Sequence, residues 1–386
     1  DLGAQGVDLY YVTPGGRSFL DIPDPVQRGA ALTFRLAVRN AGRTEDAGLV
    51  ASSVQVDATP AAAFDVVEQA GGQWINLIPR AILAAGTDYT IRVRSGYRVD
   101  GVDAGAVDKT FGFRTVSETV APPALAVGAN ETSAFEIRNL APYQPPLIVS
   151  LNQIGFDSVD FLASVIDRRG DDFILWMTAA VPGENRVDPA TTTKIAMDGT
   201  LDGTSFILDG ANLQLVTGGP PIDVRSFRIA SQFDAAGAFD GGTSVVAQAG
   251  CLDLGAVGIF LLLFDLCNTD GDFVSVGTIR GETFDGAPNR RPAGVTFTGL
   301  TREGTTLTAH FTADGYPLAA HSPAIVLVDD VTGKAVNVNY RTALSALADA
   351  EGDLASVTLT GAPVVPGRTR AIIVTDLFPI ASVLVE

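Results

Sequence analysis

Two short stretches decide the fold: LAAGTDYTIRVR at residues 83–94 and TFGFRT at residues 110–115. In both, apolar residues occupy every second position, which is typical of a β-strand with one buried face. Gly86 permits a tight turn just before the first strand. The two stretches therefore predict an antiparallel strand pair, joined by a Gly- and Asp-rich loop over residues 95–108. The side chains predicted to point inward are Tyr89, Ile91, Val93, Phe111 and Phe113.

This region resembles the end of a bacterial Ig-like domain of the S-layer type, and the resemblance covers roughly residues 25–116. In that family a leucine, two small residues and Gly-Thr-x-Tyr enter a strand, as residues 83–89 do here, and an Asp/Gly loop follows. The domain then ends in Phe-x-Phe-x-Thr, as residues 111–115 do. The resemblance implies a β-sandwich. A tyrosine at a sheet corner can bury its ring while its hydroxyl bonds the backbone, so we expect this of Tyr89.

The alternation continues along the chain and predicts an all-β protein of three domains. Residues 1–117 form the Ig-like β-sandwich, and residues 118–128 (ETVAPPALAVG) form an extended Pro/Ala spacer. Residues 129–286 hold ten candidate strands separated by Asp-Gly and Gly-Gly pairs, which predict a larger antiparallel β-barrel or sandwich domain. Residues 287–386 form a second, divergent Ig-like β-sandwich, because VPGRTRAIIV at 365–374 echoes the turn and strand of the first domain.

The charge balance of the chain argues against nucleic acid as a partner. Lys and Arg number 26 against 44 Asp and Glu, giving a net charge of −18. Such a surface repels phosphate backbones. Arginine is plentiful while lysine occurs only at Lys109, Lys194 and Lys334, a bias typical of a GC-rich bacterial genome. The longest apolar run, AVGIFLLLF at 256–264, is too short for a transmembrane helix of about 20 residues; a buried strand or a short helix within 252–266 is expected.

The two cysteines, Cys251 and Cys267, predict one structural disulfide, with free buried thiols as the alternative. A disulfide indicates an oxidising compartment. Because the sequence begins in polar, strand-like residues, we expect it to be the mature form of a secreted protein. The predicted location is therefore extracellular or at the cell surface of a bacterium.

Two groups of acidic residues are candidate metal sites. Asn268, Asp270 and Asp272 alternate around Gly271, a spacing that suits calcium or an Asx-type hairpin turn. The spacing does not match an EF-hand loop, which would need glycine at 273 and glutamate at 279. A second group comprises Asp100, Asp103 and Asp108 in the loop of the first domain. Calcium is the only cofactor for which the sequence offers a site.

No motif commits the chain to a reaction, and we predict no catalytic residue and no enzymatic activity. There are only two histidines: His310 is expected to face solvent from a strand, and His321 to lie in a turn. The chain contains no Gly-x-Ser-x-Gly motif. Several tyrosines in or near predicted loops form a candidate platform for stacking sugars; they are Tyr10, Tyr11, Tyr97, Tyr143 and Tyr316.

These observations favour a non-enzymatic structural or adhesive protein outside the cell, one that could assemble into a surface layer or filament. Its expected partners are other surface proteins, polysaccharide or copies of itself. Two alternatives stay open. The central domain could carry an apolar small molecule, or the chain could be a polysaccharide-active enzyme with Ig-like accessory domains, which would need two opposed carboxylates.

Overall fold

A computed structural model describes most of the chain, and it confirms the all-β prediction. The described residues are 6–13, 17–23, 25–40, 43–69, 71–118, 120–127, 134–144, 160–191, 193–215, 222–239, 244–254, 267–268, 270–283 and 294–386. They form 25 strands in antiparallel sheets, which fall in three successive stretches of the chain. The domain boundaries drawn from the sequence stay predictions.

The first stretch folds into two sheets around one core. A six-stranded sheet has the order β2-β1-β3-β8-β7 with β4 on β3, and a four-stranded sheet has the order β10-β9-β5 with β6 on β9. Apolar residues from both sheets fill the space between them. The strands are β1 Val7–Val12, β2 Ser18–Phe19, β3 Leu32–Asn40, β4 Arg43–Asp46, β5 Gly48–Leu49, β6 Gln55–Thr59, β7 Phe64–Gln69, β8 Trp74–Pro79, β9 Asp88–Val99 and β10 Val102–Arg114.

The predicted loop over residues 95–108 is wrong, because β9 and β10 form one long hairpin through this region. Ser95 pairs with Val107, and Tyr97 pairs with Gly105 across a small irregularity. A side chain at Gly105 would meet the Tyr97 ring at 3.1 Å. The glycine thus makes room for an aromatic ring within a strand, a role easily mistaken for a loop signal.

The corner before β9 is as predicted. Tyr89 is buried, and its hydroxyl oxygen accepts a hydrogen bond from the Ala84 N–H at 3.1 Å. Gly86 has φ +55°, a conformation that glycine adopts without strain. The geometry of this corner therefore fits the sequence interpretation, while the family resemblance itself stays a prediction.

The second stretch forms eight strands, each paired with the next, and β18 pairs back with β11 so that the sheet closes on itself. This is the barrel form of the two that the sequence left open. Of the ten predicted strands, two merge into β15, and residues 147–151 lie outside the described part. The strands are β11 Ala134–Gln144, β12 Phe161–Arg169, β13 Asp172–Ala179, β14 Lys194–Asp202, β15 Ser205–Leu215, β16 Ile222–Gln232, β17 Ser244–Gly250 and β18 Asp272–Thr283.

Apolar side chains fill the described interior of this closed sheet. Alternate residues of the strands point inward and form one buried cluster. Two glycines give space to aromatic rings: a side chain at Gly199 would meet Phe173 at 2.3 Å, and one at Gly281 would meet Phe239 at 1.9 Å. The rings thus occupy the volume that a ligand carrier would need.

The predicted spacer over residues 118–128 is bound to the closed sheet rather than free. Its described residues, 118 and 120–127, have no regular secondary structure, as expected of its prolines. Glu118 bonds Arg28 and Thr204, and Leu125 is fully buried in the interior cluster of the closed sheet. Since each end of the described spacer is fixed, it acts as part of the packing and not as a flexible linker.

The third stretch folds into two further sheets, ordered β19-β20-β23-β22 and β21-β24-β25. Nearly every residue of β21 and β24 is buried, so both faces of this smaller sheet are covered. Residues 335–339 (AVNVN) alternate in the manner of a strand, but within them only Ala335 forms a bridge, to Val328. The strands are β19 Thr296–Glu303, β20 Thr306–Thr312, β21 Ala324–Asp329, β22 Leu344–Ala348, β23 Leu354–Leu359, β24 Thr369–Thr375 and β25 Phe378–Leu384.

The described helices are short. Single 3-10 turns occur at Ala51–Ser53, Cys251–Leu254 and Leu318–Ala320, and one α-helical turn occurs at Tyr340–Ala343. Of the helix considered for residues 252–266, only the 3-10 turn at its start falls in the described part. Among the described residues, the helices are all too short to span a membrane.

Candidate functional site

The most concentrated polar chemistry of the described chain surrounds Asp376, in the turn between β24 and β25. Asp376 is buried and has φ +53°, an uncommon conformation for a residue other than glycine. Its carboxylate accepts hydrogen bonds from the Ser322 N–H at 2.7 Å and the Tyr316 hydroxyl at 3.1 Å. Its Oδ2 also lies 2.7 Å from Nδ1 of His321. Three partners thus satisfy a carboxylate that would be costly to bury alone.

Tyr316 and His321 stack on each other beside this carboxylate. Their ring centroids are 3.6 Å apart and their planes differ by 11°. Burial, followed by the charge and hydrogen bond of Asp376, raises the pKa of Tyr316 far above its ordinary value. Tyr316 therefore stays a neutral hydroxyl that donates to Asp376.

Lys194 of β14 brings a positive charge towards the same place. Its Nζ donates to the Pro323 carbonyl at 3.3 Å. Burial lowers the pKa of Lys194 to about 8, and the negative charge of Asp376 opposes that shift. Lysine and carboxylate belong to different stretches of the chain, so they couple the closed sheet to the third stretch electrostatically.

The Asp376 turn also holds the closed sheet by direct hydrogen bonds. Trp176 of β13 is fully buried, and its indole N–H donates to the Asp376 carbonyl at 3.1 Å. Ser164 of β12 donates its hydroxyl to the carbonyl of Leu377. We call this contact between the closed sheet and the third stretch the second joint; it comprises these residues and the apolar cluster they share.

That shared cluster is the main apolar contact of the second joint. The outward-facing residues Leu162, Ile166 and Ile174 of the closed sheet belong to the same buried cluster as the core of the third stretch. Ion pairs lie at the rim of this shared cluster, where the Asp330 carboxylate pairs with Arg169 and with Arg370. Hydrogen bonds from these two arginines lower the pKa of Asp330 below its ordinary value.

The contact between the first stretch and the closed sheet, the first joint, is centred on a buried arginine. Arg28 donates to the Leu83 carbonyl, to Glu118 and to Asp202. Thr204 also donates to Glu118, its N–H at 2.8 Å. Burial alone would raise the pKa of Glu118, but hydrogen bonds from Thr204 and Arg28 outweigh it and lower the pKa. The ion pair is thus formed and anchored at both ends.

The apolar part of the first joint is small. One buried cluster joins the first stretch to the outer face of the closed sheet; its members are Ala31, Ile78, Val246, Val274 and Val276, with Val67 packed against them. Arg228 adds a hydrogen bond to the Pro79 carbonyl at 2.6 Å. The first joint therefore depends on charge more than on apolar burial.

The structure confirms the predicted disulfide between Cys251 and Cys267. The disulfide also contributes to the first joint, because the Cys267 carbonyl accepts a hydrogen bond from the Gly71 N–H of the first stretch at 3.1 Å. Next to it, Asn268 forms the Asx-type turn that the sequence offered beside calcium: its Oδ1 accepts N–H groups of Asp270 at 3.0 Å and Asp272 at 2.8 Å. The Asp272 carboxylate pairs with Arg225.

Three of the carboxylates considered for metal form ion pairs with arginines: Asp103, Asp108 and Asp272. In the first stretch, Asp103 pairs with Arg98 and Asp108 pairs with Arg92 across the β9–β10 hairpin. Asp100 lies in the hairpin turn with φ +50°. Across the described ranges, no three His, Cys, Asp or Glu side chains form a group that could hold a metal ion. Calcium binding stays a prediction.

The tyrosine platform is wrong for three of its five members. Tyr11, Tyr97 and Tyr316 are buried in the cores, because their rings lie on the inward faces of strands or turns. The side chain of Tyr143 lies outside the described part, which leaves the half-buried Tyr10. A row of stacking rings is therefore not available at these positions.

The two histidines differ as their sequence contexts suggested. His310 is exposed on β20, as predicted, and its Nε2 lies 2.9 Å from the Thr301 hydroxyl. His321 follows a 3-10 turn and bonds Asp376, but within the described structure the hydroxyl of its neighbour Ser322 has no hydrogen-bond partner. The serine–histidine contact of a catalytic triad is thus not formed here. No local pattern distinguishes Asp376 from the other acidic residues, which number 44 in all.

Comparison with known proteins adds no family to this picture. No protein-family model matches the chain, and no curated protein matches it.

Proposed function

We propose that this chain is a structural or adhesive protein of the bacterial cell surface or extracellular space. The observation that carries the proposal is the pair of joints, in which buried ion pairs, hydrogen bonds and apolar clusters connect three stretches of sheet. A protein that must hold its surfaces in fixed positions under load requires such connections. Fold alone does not give function, so the joints, and not the sheets, support the proposal.

Charge and covalent chemistry agree with this location. A disulfide persists in oxidising surroundings and is rare in the cytosol of most organisms. The net charge of −18 keeps copies of the chain apart at low concentration and repels nucleic acid. These features fit a protein exposed to the medium.

Strand edges offer a route to the proposed partners, which are other surface proteins, polysaccharide or copies of this chain. Within the described pairings, β10 and β22 each end a sheet, and only the last residue of β10, Arg114, has a backbone partner on its outer side, the Val26 N–H. Such edges can accept a strand from another molecule, which is how many surface filaments form. A surface layer or filament is therefore part of the proposal.

The carrier alternative receives no support from the described interior of the closed sheet, because buried aromatic and aliphatic residues occupy it. Phe206, Phe233 and Phe239 contact one another, with ring centroids 4.5 to 5.9 Å apart. A carrier would need that volume for its ligand.

Labelling of intact cells tests the proposal. An antibody against the purified chain should label intact, unpermeabilised cells of the source organism or be found in their culture medium. A deletion strain provides the matched control and should lose both the label and part of its adhesion to surfaces or neighbouring cells. Detection of the protein only after cell lysis would contradict the proposal.

A further inference from the structure

A polar groove of about 300 Å³ lies on the third stretch of the chain, beside the helical turn Tyr340–Ala343. This volume is at the lower end of those of small-molecule sites. The groove is open to solvent and runs along a segment without strand structure. The residues that matter for its chemistry are Asn337, Val338, Asn339, Thr342, Thr360 and Pro363.

Two asparagines supply free amides to this groove. Asn339 is the N-cap residue of the helical turn, yet its side chain makes no capping hydrogen bond. An asparagine at this position normally accepts an N–H of the first turn. Asn337 and Asn339 both have exposed side chains, so their amides are accessible to a ligand. Each amide can therefore donate two hydrogen bonds and accept others from a ligand.

Two threonines add hydroxyl groups whose oxygens remain able to accept. Thr342 donates to the Asn339 carbonyl at 3.4 Å, and Thr360 donates to the Ala343 carbonyl at 3.2 Å. Because a hydroxyl that donates keeps its acceptor lone pairs, both oxygens can receive a ligand O–H. Val338 and Pro363 supply apolar contact between these polar groups.

The lining is uncharged, which limits the class of ligand. The residues around the groove, all in the described part, are Asn, Thr, Val, Ala, Gly and Pro. The protein as a whole carries a charge of −18, which disfavours an anionic ligand, and Arg341 of the neighbouring helical turn is not among the residues that line the groove. A neutral ligand with many hydroxyls and intervening C–H groups matches these donors, acceptors and apolar contacts.

We propose that this groove binds a neutral oligosaccharide. The inference deepens the proposed adhesive function and rests on it, since it names polysaccharide as the partner. An extended peptide fits less well, because residues 336–339 form no strand and offer side-chain groups in place of a backbone ladder.

The test is binding of the full-length chain to an array of immobilised neutral and anionic glycans. The wild type should bind neutral glycans. The double variant Asn337→Ala, Asn339→Ala should bind them at least about tenfold more weakly, because each lost hydrogen bond weakens affinity several-fold. The matched control is Thr296→Ala, Thr312→Ala, an exposed pair on neighbouring strands β19 and β20, which should bind as the wild type does. Far-UV circular dichroism checks that every variant is folded.

Four results would overturn the inference. These are no binding to any glycan, binding to anionic glycans alone, wild-type binding by the double variant, and binding to a peptide array in place of the glycans. If glycan binding fails but the antibody still labels intact cells, the oligosaccharide site is ruled out and the proposed location is not. Glycan binding by a protein found only inside cells would instead contradict the proposed function.

Discussion

The two joints of this molecule connect similar sheets by different physical means. At the first joint, one buried arginine bonds two carboxylates, and a small apolar cluster lies beside it. At the second joint, the outer face of the closed sheet shares a large apolar cluster with the third stretch, and Trp176 reaches the Asp376 turn. Charge dominates the first joint and apolar burial dominates the second.

This difference has a consequence for stability. Apolar burial contributes roughly 25 cal/mol per Å² and is insensitive to pH, whereas an ion pair must first compensate for its own desolvation. We therefore expect added salt to weaken the first joint more than the second, because exposed or half-exposed charges are screened and apolar contacts are not.

Trp176→Ala should have the largest effect, because it removes a fully buried indole from the second joint. Truncation of a buried Trp costs about 3–5 kcal/mol through lost burial and the cavity left behind. Urea unfolding followed by far-UV circular dichroism measures the free energy of unfolding. Leu347→Ala, at a residue 65% exposed, is the control and should change it by less than about 0.5 kcal/mol. Equal effects of the two variants would contradict the role given to the second joint.

Arg28→Ala should lower the free energy of unfolding by about 2 kcal/mol, since it leaves the Leu83 carbonyl without this donor and Glu118 without its charged partner. The loss should be accompanied by faster proteolysis within residues 118–127, measured by limited digestion and mass spectrometry. Arg80→Ala, which breaks the exposed pair with Asp65, provides the comparison and should leave digestion unchanged. If both variants are digested alike, Arg28 does not hold the first joint.

Lys194 should make the second joint respond to alkaline pH. Its pKa is lowered from 10.5 to about 8 by burial, so between these values the unfolded chain holds a proton that the folded chain has released. The contribution of Lys194 to the free energy of unfolding therefore rises with pH across this window and is unfavourable below it. Lys194→Met should stabilise the protein at pH 7.5, and its advantage over the wild type should shrink by pH 10. Lys334→Met, at an exposed lysine, should show no such trend.

The exposed ion pairs of the β9–β10 hairpin should matter least. Arg92→Ala breaks the pair with Asp108, in which both side chains are about half exposed. Such pairs contribute about 0–1 kcal/mol. The change in urea midpoint should therefore lie close to the error of the measurement, and a loss as large as that of Arg28→Ala would erase the distinction between buried and exposed pairs.

Much of the fold could be predicted from sequence because alternation and turn residues act locally. The strand pair of residues 88–94 and 110–115, the Tyr89 corner and the disulfide were all predicted. Errors arose where one residue type serves two purposes. Gly105 and Gly199 make room for Tyr97 and Phe173 within strands, whereas a glycine in sequence reads as a turn.

The polar cluster and the joints could not be predicted, because they depend on contacts between distant parts of the chain. Asp376 meets residues 55 and 60 positions away, and Trp176 lies 200 positions from it. The turn residues around Tyr316 favour a surface position for its ring, yet the ring is buried and packs on His321. Whether a charged side chain is buried depends on which sheet packs over it. The residues next to it in the sequence do not predict that packing.

The central claim is that the joints make three stretches of sheet into one cooperative body. Native-state hydrogen exchange of the wild-type chain, followed by mass spectrometry at increasing urea, tests it directly. We expect the most protected amides of β8, β13 and β24 to reach one common opening free energy as urea approaches the concentration of global unfolding. Three separate opening free energies, each with its own dependence on urea, would show that the stretches unfold independently and that the joints do not make them one body.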